Sequence, residues 1–402
     1  MRGIGAASLV VVVSSALAAA GTAPDWPQYR GPSRDGAAIA AKGSPGWPEG
    51  GPRVAWRQTL GSAFSQLVIA GDAVYTGTSD EKGEYLVRLD AATGKEIWRL
   101  ALGQVFESEF GNGPRSTPTI DGEVVYQLGA RGTLVAASTA DGKEIFRIDL
   151  TQRFGATVPR FGYSGSPLVA GDLLVLEVGG SEQGWLAGLD KKTGETRWTS
   201  GKGPAGYNSP IVIDFGGTPQ LALVRGKTLM GLDLEGRTLW SHELEEGATA
   251  MPLAVGRDRI FVSSAGDTGC VMLGLERTDD GMRVEPLWQN RNMRNHFNSS
   301  VLVGDHIYGF DNATLKCLSA TTGELKWTKR GLGKGSLLGA GDRLLVVSDQ
   351  GTVLLVEANP DEYREHGSVE ALTGKSWTAP SFARGRLYVR NLTEATCLDF
   401  GG

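Results

Sequence analysis

Cationic, aromatic and amide side chains are concentrated in segments that lead into several short β-strand patterns of the chain. The members of this set are Arg115, Tyr163, Tyr207, Asn208, Arg294, His296, Asn298, Lys334 and Trp377. A few polar groups among aromatic rings are typical of a small-molecule site, and gathered cations attract an anion more strongly than scattered ones. If the segments converge, we predict a cationic funnel with aromatic walls. Such a funnel suits a small anionic or polyhydroxylated ligand, or a protein partner.

The same residues have a structural alternative. Each could satisfy backbone groups where a strand begins, and Arg115 could pair with Glu107 or Glu109. Leaving a buried polar partner unsatisfied costs roughly 1–3 kcal/mol. Substitution of a structural residue should therefore lower stability, whereas substitution of a ligand-binding residue should lower binding. The sequence leaves both alternatives open.

Strings that resemble catalytic motifs have the wrong spacing. A phosphate-binding loop ending in Gly226, Lys227 and Thr228 would need glycine at position 221, which is Leu221. A nucleophile elbow around Ser164 would need glycine at Ser166. The four histidines are far apart in sequence and show no metal-ligand spacing. We therefore predict no catalytic residue and no metal site.

A repeated phrase indicates the elements that position these residues. It occupies residues 89–98, 189–198 and 318–327, each ending in tryptophan. Short β-branched or aromatic runs bounded by Gly and Asp precede each copy, which is the pattern of strands joined by tight turns. Self-similarity at this period indicates one supersecondary unit used many times. Four-stranded sheets repeated around an axis make a β-propeller.

Counting the units predicts an all-β fold with eight blades. The fourth strands carry a large ring that we interpret as a wedge between neighbouring sheets, and the seventh is degenerate near Ala371 and Leu372. These rings are Trp56, Trp98, Phe146, Trp198, Trp240, Trp288 and Trp327. The eighth unit starts at residue 378 and has only three strands, while residues 54–60 resemble a fourth strand without the other three. We predict that this N-terminal strand completes the last blade and closes the ring, which removes open sheet edges.

Composition and the N-terminus indicate an exported globular protein. The 402 residues are 41% hydrophobic and 21% charged, with a net charge of −5. No Lys/Arg cluster stands out, so we predict no nucleic-acid partner. Residues 1–20 combine a basic start, a short apolar stretch and small residues, as a secretory signal peptide does. No cysteine lies near the expected cleavage site, so we expect no lipid anchor there.

The remaining chain divides into two parts. Residues 21–51 are predicted to strap against the ring through Trp26, Tyr29 and Trp47, and residues 52–402 form the propeller. There is no second apolar span. We therefore expect a periplasmic or secreted monomer without a membrane span.

The repeat resembles that of pyrroloquinoline-quinone (PQQ) proteins, a group that includes quinoprotein alcohol dehydrogenases and BamB-like propellers. The resemblance covers residues 52–400, and a finer likeness to exported BamB-like proteins is carried by four phrases. These are residues 25–32, 113–118, 295–299 and 331–337. The resemblance implies an eight-bladed propeller of the PQQ-repeat type and an exported protein.

The two groups imply different functions. A BamB-like protein would be a non-enzymatic binding or scaffold protein, whose ligand or partner site we place on the axial loop face. A quinoprotein oxidoreductase would bind PQQ and calcium beside a pair of adjacent cysteines. Here Cys270, Cys317 and Cys397 are far apart and fit small-residue positions of third strands, where free thiols behave as small hydrophobes. We therefore predict the binding protein with no cofactor, and keep the PQQ-dependent dehydrogenase as the alternative.

Overall fold

The regular secondary structure of the described chain is almost entirely β-strand. The computed structural model describes residues 25–39, 43–279 and 281–401, and its one helix within those residues is Leu150–Phe154. The strands form eight sheets, each built on four antiparallel strands. The predicted all-β, eight-bladed propeller is confirmed. None of the described residues forms a helix with the length and hydrophobicity that a membrane span requires.

Blades 1 to 4 follow one another along the chain, and each runs from an inner first strand to an outer fourth strand. Their strands are Val68–Ala70, Ala73–Asp80, Gly83–Asp90 and Glu96–Gly103 in blade 1; Thr119–Asp121, Val124–Leu128, Thr133–Ser138 and Glu144–Asp149 in blade 2; Leu168–Ala170, Leu173–Gly180, Gly184–Asp190 and Thr196–Ser200 in blade 3; and Ile211–Phe215, Thr218–Arg225, Thr228–Leu232 and Thr238–Glu243 in blade 4.

Blades 5 to 8 continue this order, and the last blade takes its fourth strand from the N-terminal part of the chain. The strands are Leu253–Val255, Arg259–Ser263, Cys270–Thr278 and Gly281–Asn290 in blade 5; Val301–Val303, His306–Asp311, Thr314–Ser319 and Leu325–Lys329 in blade 6; Ser336–Ala340, Arg343–Val347, Thr352–Glu357 and Glu365–Glu370 in blade 7; and Ser381–Ala383, Arg386–Arg390, Glu394–Asp399 and Arg53–Thr59 in blade 8. The predicted closure by the N-terminal strand is confirmed by its antiparallel pairing with Glu394–Asp399.

Five of the six repeated tryptophans join their blade to the next through the indole N–H, whereas Trp240 Nε1 donates to Gln220 Oε1 of its own blade at 2.7 Å. Trp98 Nε1 donates to Thr139 O of blade 2 at 3.3 Å, and Trp198 Nε1 donates to Leu234 O of blade 4 at 2.8 Å. Trp56 does the same across the closure, to Ala91 O of blade 1 at 3.0 Å. A buried indole needs a partner for its N–H, and in these five cases that partner belongs to the neighbouring blade. The rings therefore act as wedges that also fix blade spacing.

Blade 7 departs from this pattern, which is why its unit looked degenerate. Its fourth strand ends immediately before Ala371, and Gly367 stands opposite Leu355 at the bulge, where the other blades carry the large ring. Trp47 of the N-terminal segment lies over Gly367, where a side chain at that position would point. Its ring also contacts Phe400 of blade 8, with centroids 6.1 Å apart. Trp47 thus supplies from elsewhere in the chain the wedge that blade 7 lacks.

The segment before Trp47 passes through the middle of the ring. Trp26 is 1% exposed, and its backbone exchanges hydrogen bonds of 2.9 and 3.0 Å with Ile69 in the first strand of blade 1. Ala37–Ala38 pairs in parallel with the first strand of blade 7. Pro27 O also accepts from Ile120 N in the first strand of blade 2 at 2.8 Å, so the segment bonds to the first strands of blades 1, 2 and 7 and lies on the inner side of the ring. The expected signal peptide, and the first residues of the segment, lie outside the described residues.

Two buried arginines of this segment join blades across the axis. Arg30 donates to Ser299 O and Ser300 O of blade 6, at 2.9 and 2.6 Å. Arg34 donates to Pro210 O of blade 4 at 3.0 Å and to the carbonyls of Ser166 and Pro167 before blade 3. Burial lowers the pKa of Arg34 to about 9, so it remains charged at neutral pH. The arginines replace water as partners of carbonyls that face the channel.

Candidate functional site

A belt of hydrogen bonds joins every pair of neighbouring blades where their first strands begin. In order around the ring, its bonds run from Gln66 N to Thr117 Oγ1 (3.0 Å), Thr117 N to Ser166 Oγ (3.0 Å), Ser166 N to Ser209 Oγ (2.9 Å), Asn208 Nδ2 to Ala250 O (2.8 Å), Met251 N to Ser299 Oγ (2.9 Å), Asn298 Nδ2 to Gly335 O (3.0 Å), Ser336 Oγ to Thr378 O (3.2 Å) and Ser381 Oγ to Leu67 O. Buried backbone N–H and C=O groups need hydrogen-bond partners. Small polar side chains at these positions provide them and thereby connect neighbouring blades.

Two of the nine predicted site residues belong to this belt. Asn208 and Asn298 are buried, with 2% and 8% of their surface exposed. Their side-chain amides are directed to the carbonyls of Ala250 and Gly335 in the following blades. Both side chains therefore satisfy backbone groups where strands begin, as the alternative to ligand binding predicted.

Tyr163 is inside the protein, and its predicted place on the funnel wall is wrong. Its backbone NH bonds to Ala130 O of blade 2, and its ring fills space between blades 2 and 3 with 1% exposed. The hydroxyl donates to Val178 O at 2.9 Å. The loop composition suggested a wall residue, but the direction of this side chain is set by packing between blades.

Arg294 is held in an ion pair. Its Nε lies 2.6 Å from Asp311 Oδ1, and Lys316 Nζ lies 2.6 Å from Asp311 Oδ2. Asp311 is almost fully buried, so the two cations supply the neighbours that a buried carboxylate requires. The charge of Arg294 is thereby engaged within the protein.

Arg115 is held by its own loop and not by Glu107 or Glu109. Its guanidinium donates to Gly111 O at 2.7 Å and to Gly113 O, and it lies 4.8 Å from the ring centroid of Phe106 and 5.4 Å from that of Phe64. Burial lowers the pKa of Arg115 to about 10. A half-buried guanidinium between two rings stabilises both the loop and the rings.

Six aromatic rings from six loops meet above the belt, and we call this surface the axial mouth. Its members are Phe64, Phe110, Phe161, Tyr207, Phe297 and Trp377. Going from Tyr207 to Phe161, Phe110, Trp377 and Phe297, successive centroids are 5.7, 5.8, 6.4 and 4.9 Å apart. The ring of Phe64 stacks on that of Trp377 at 6.4 Å. The loops before blades 1, 2, 3, 4, 6 and 8 therefore converge.

Cations lie along this row of rings. Lys375 Nζ is 4.5 Å from the Trp377 centroid and 3.3 Å from Phe110 O. Arg160 lies 5.0 Å from the Phe161 centroid. Lys334 Nζ approaches Nδ1 of His296 at 3.3 Å, and burial together with the charge of Lys334 lowers the pKa of His296 below its usual value. The mouth can thus offer aromatic surface and positive charge to the same ligand.

Part of this surface was predictable from the sequence and part was not. Of the nine predicted residues, Tyr207, His296, Lys334 and Trp377 lie at the mouth, and Arg115 lies beside Phe64. Four phenylalanines and two cations of the mouth were not among the predicted residues, namely Phe64, Phe110, Phe161, Phe297, Lys375 and Arg160. All but Phe64 occur in the same loop segments, so aromatic content per loop, including phenylalanine, was the usable signal.

The residues present do not fit PQQ held over calcium. Burial raises the pKa of Cys270 to about 12, that of Cys317 to about 11 and that of Cys397 to about 12, and these thiols lie on third strands of three different blades. Asp311, a carboxylate close to the axial loops, is already paired with two cations. Within the described ranges no group of three or more His, Cys, Asp or Glu gathers where a metal ion could bind. The donor set that calcium prefers is several oxygens at one place.

Comparisons with known proteins agree with this fold. A family model described as "Outer membrane protein assembly factor BamB" matches residues 82–329, more than half of the chain. The outer membrane protein assembly factor BamB of Burkholderia pseudomallei (strain K96243) is 25% identical over 321 residues, which cover 73% of this chain and 74% of that protein.

Solved structures show the same architecture. The crystal structure of BamB from Moraxella catarrhalis matches with a TM-score of 0.62 at 14% identity, covering 87% of this chain and 99% of that one. The quinohemoprotein alcohol dehydrogenase from Comamonas testosteroni matches with a TM-score of 0.64 at 13% identity, covering 95% and 81%. At such identities the structures share the fold, and function is decided by sites. On the strength of the family match over more than half its length, the chain belongs to the family described as outer membrane protein assembly factor BamB.

Proposed function

We propose that this protein is a non-enzymatic scaffold in outer-membrane protein assembly, and that it binds a protein partner through the axial mouth. Membership of a family described as an assembly factor supports the scaffold role. The observation that carries the partner site is the axial mouth, where six loops bring half-exposed rings together and Phe110 is 42% exposed. A stable fold does not need apolar rings that face the solvent, whereas a protein-binding surface commonly contains them.

The proposal includes a periplasmic location and a monomeric propeller. A signal peptide at residues 1–20 would deliver the chain across the inner membrane. An eight-bladed ring whose last blade is completed by its own N-terminal strand needs no strand from a second copy, and its remaining sheet edges are short and protected. A small anionic or polyhydroxylated ligand at the mouth is the alternative occupant.

A PQQ-dependent oxidoreductase is the second candidate, and it rests on the shared fold alone. The buried thiols and the paired Asp311 do not favour it. Adding PQQ and calcium to the purified protein should produce no alcohol-dependent dye reduction. Dye reduction that is abolished by a chelator would make this candidate the function.

The scaffold proposal is tested by deletion and complementation in the native bacterium. Deletion should lower the amounts of β-barrel proteins in the outer-membrane fraction, measured by quantitative mass spectrometry. The wild-type protein and the rim variant Ile97→Thr should restore them, because Ile97 is an exposed residue on an outer strand away from the mouth. The double variant Phe110→Ala/Trp377→Leu should not restore them. Unchanged outer-membrane proteins after deletion would refute the scaffold role.

A further inference from the structure

We propose that the axial mouth binds an extended polypeptide segment in which aromatic side chains alternate with small residues and are flanked by Asp or Glu. This inference rests on the proposed partner site and specifies the chemistry of the partner. It follows from three features of the mouth: the spacing of its rings, its available cations, and the closed channel beneath it.

The ring spacing matches an extended chain. Successive centroids from Tyr207 to Phe297 are 4.9–6.4 Å apart. In an extended strand, residues i and i+2 lie on one face about 6.6 Å apart, at about 3.3 Å per residue. Aromatic side chains at alternate positions of a bound segment could therefore meet neighbouring rings of the row, such as Phe110, Trp377 and Phe297. Tilted and edge-to-face contacts at such distances are the favourable arrangements of aromatic pairs.

The cations at the mouth call for a carboxylate. Lys334 and Lys375 have no Asp or Glu within ion-pair distance in the described part of the chain, and their contacts are to His296, Trp377 and a backbone carbonyl. Arg294, by contrast, is paired with Asp311 at 2.6 Å. A ligand carboxylate beside Trp377 would give Lys375 the partner that the protein does not supply.

A polyanion suits the mouth poorly. Glu107 and Glu109 lie in the same loop as Phe110, and Glu109 is largely exposed and 3.9 Å from Arg160. These carboxylates would repel a nucleic acid, whose phosphates recur at every residue. A peptide with isolated carboxylates between aromatic residues avoids that repulsion while still meeting Lys334 and Lys375.

The closed channel determines how the segment lies. Below the mouth, Arg30 and Arg34 of the N-terminal segment bond to carbonyls of blades 3, 4 and 6 and occupy the axis. A bound chain therefore cannot thread through the ring. It lies across the mouth, from Phe110 before blade 2 over Trp377 to Phe297 before blade 6.

Peptide binding to the full protein tests the inference. The probe is a fluorescently labelled, end-capped peptide with the sequence Ser-Asp-Phe-Ser-Phe-Ser-Phe-Asp-Ser, and the measurement is fluorescence anisotropy. Replacing its Phe by Leu, or its Asp by Asn, should each weaken binding to the wild-type protein. Phe110→Ala and Trp377→Leu should each weaken binding about tenfold, which corresponds to about 1.4 kcal/mol, with melting temperatures close to that of the wild type.

The charge contribution has its own control. Lys334→Gln/Lys375→Gln should weaken binding of the Asp peptide several-fold and leave the Asn peptide unaffected. Lys192→Gln, an exposed lysine in a turn of blade 3, should bind both peptides as the wild type does. The inference is overturned if the wild type prefers the Leu peptide, if an oligothymidylate binds more tightly than the Asp peptide, or if stable mouth variants bind normally. Such results would leave the scaffold role standing whenever deletion still lowers outer-membrane proteins.

Discussion

The belt and the axial mouth lie within a few residues of each other on the same loops, but their side chains are satisfied in different ways. In the belt, Asn208 and Asn298 are buried and bonded to the next blade. At the mouth, Phe110 is exposed and Lys375 contacts a ring and a carbonyl. One loop thus has a structural base and a tip available for binding. Position along the loop therefore separates the two roles.

The largest expected effect is on the stability of the fold, through a buried residue of the axial segment. Arg34→Met should lower the free energy of unfolding by about 4 kcal/mol, because several carbonyls lose bonds to a charged group that are each worth ~1.5–3 kcal/mol. Arg160→Met at the mouth is the matched control and should change it by less than about 0.5 kcal/mol. Urea denaturation measures both. Equal effects of the two substitutions would abolish the distinction between axis and mouth.

Trp47 is a second residue with a structural role, and it lies at the outer strand of blade 7. Trp47→Ala should cost about 3 kcal/mol, at the lower end for a large ring because Trp47 is only half buried. In that background Gly367→Trp should recover part of the loss, since it restores a ring at the position used by other blades. Gly367→Trp alone should destabilise, because Trp47 already occupies the space. A double variant no more stable than Trp47→Ala would contradict the wedge assignment.

A direct test compares one residue from each region. Asn298→Ala should lower unfolding free energy by roughly 1–3 kcal/mol, because Gly335 O loses its buried donor. Phe110→Ala should leave it within about 0.5 kcal/mol of the wild type. If Phe110→Ala destabilises more than Asn298→Ala, the mouth is part of the scaffold and the comparison fails.

The smallest expected effect is a change in the pKa of His296, which tests whether His296 and Lys334 interact at the mouth. Burial and the charge of Lys334 hold the pKa of His296 below 6.5, so the folded protein favours the neutral imidazole. The contribution of neutral His296 to the free energy of unfolding is therefore present above pH 6.5, and it is lost as the pH falls through the lowered pKa. Lys334→Gln should raise the pKa of His296, followed by NMR titration of its ring protons. An unchanged titration would show that the two side chains do not interact.

The fold could be predicted because the repeat specifies it locally. Each unit carries its own strands, turns and wedge, and the missing fourth strand of the last unit identified residues 54–60 as the closure. Trp47 could not be placed, because its partner Gly367 is recognisable only once the register of blade 7 is known. The Gly- and Pro-rich sequence around Arg30 and Arg34 gives no sign that both arginines are buried on the axis.

The candidate site was predicted less well for a related reason. Loop composition identified the convergent loops, and it correctly directed attention to Trp377 and Lys334. It could not tell that Tyr163 turns inwards while Phe161, two residues earlier, faces the mouth. That difference depends on backbone direction and on the space between two blades, both of which are properties of the assembled ring.

The closing strand imposes an order on folding. Arg53 and Asp399 pair across 346 positions of sequence, and Trp47 likewise contacts Phe400 near the other end of the chain. The N-terminal residues are synthesised first, yet their sheet partner is made last. Contacts of such separation form slowly because loop closure must precede them, and unpaired strands are prone to aggregate meanwhile. Residues 43–59 therefore meet their sheet partner only once almost the whole chain is present, and we expect completion of blade 8 to be a late step of folding.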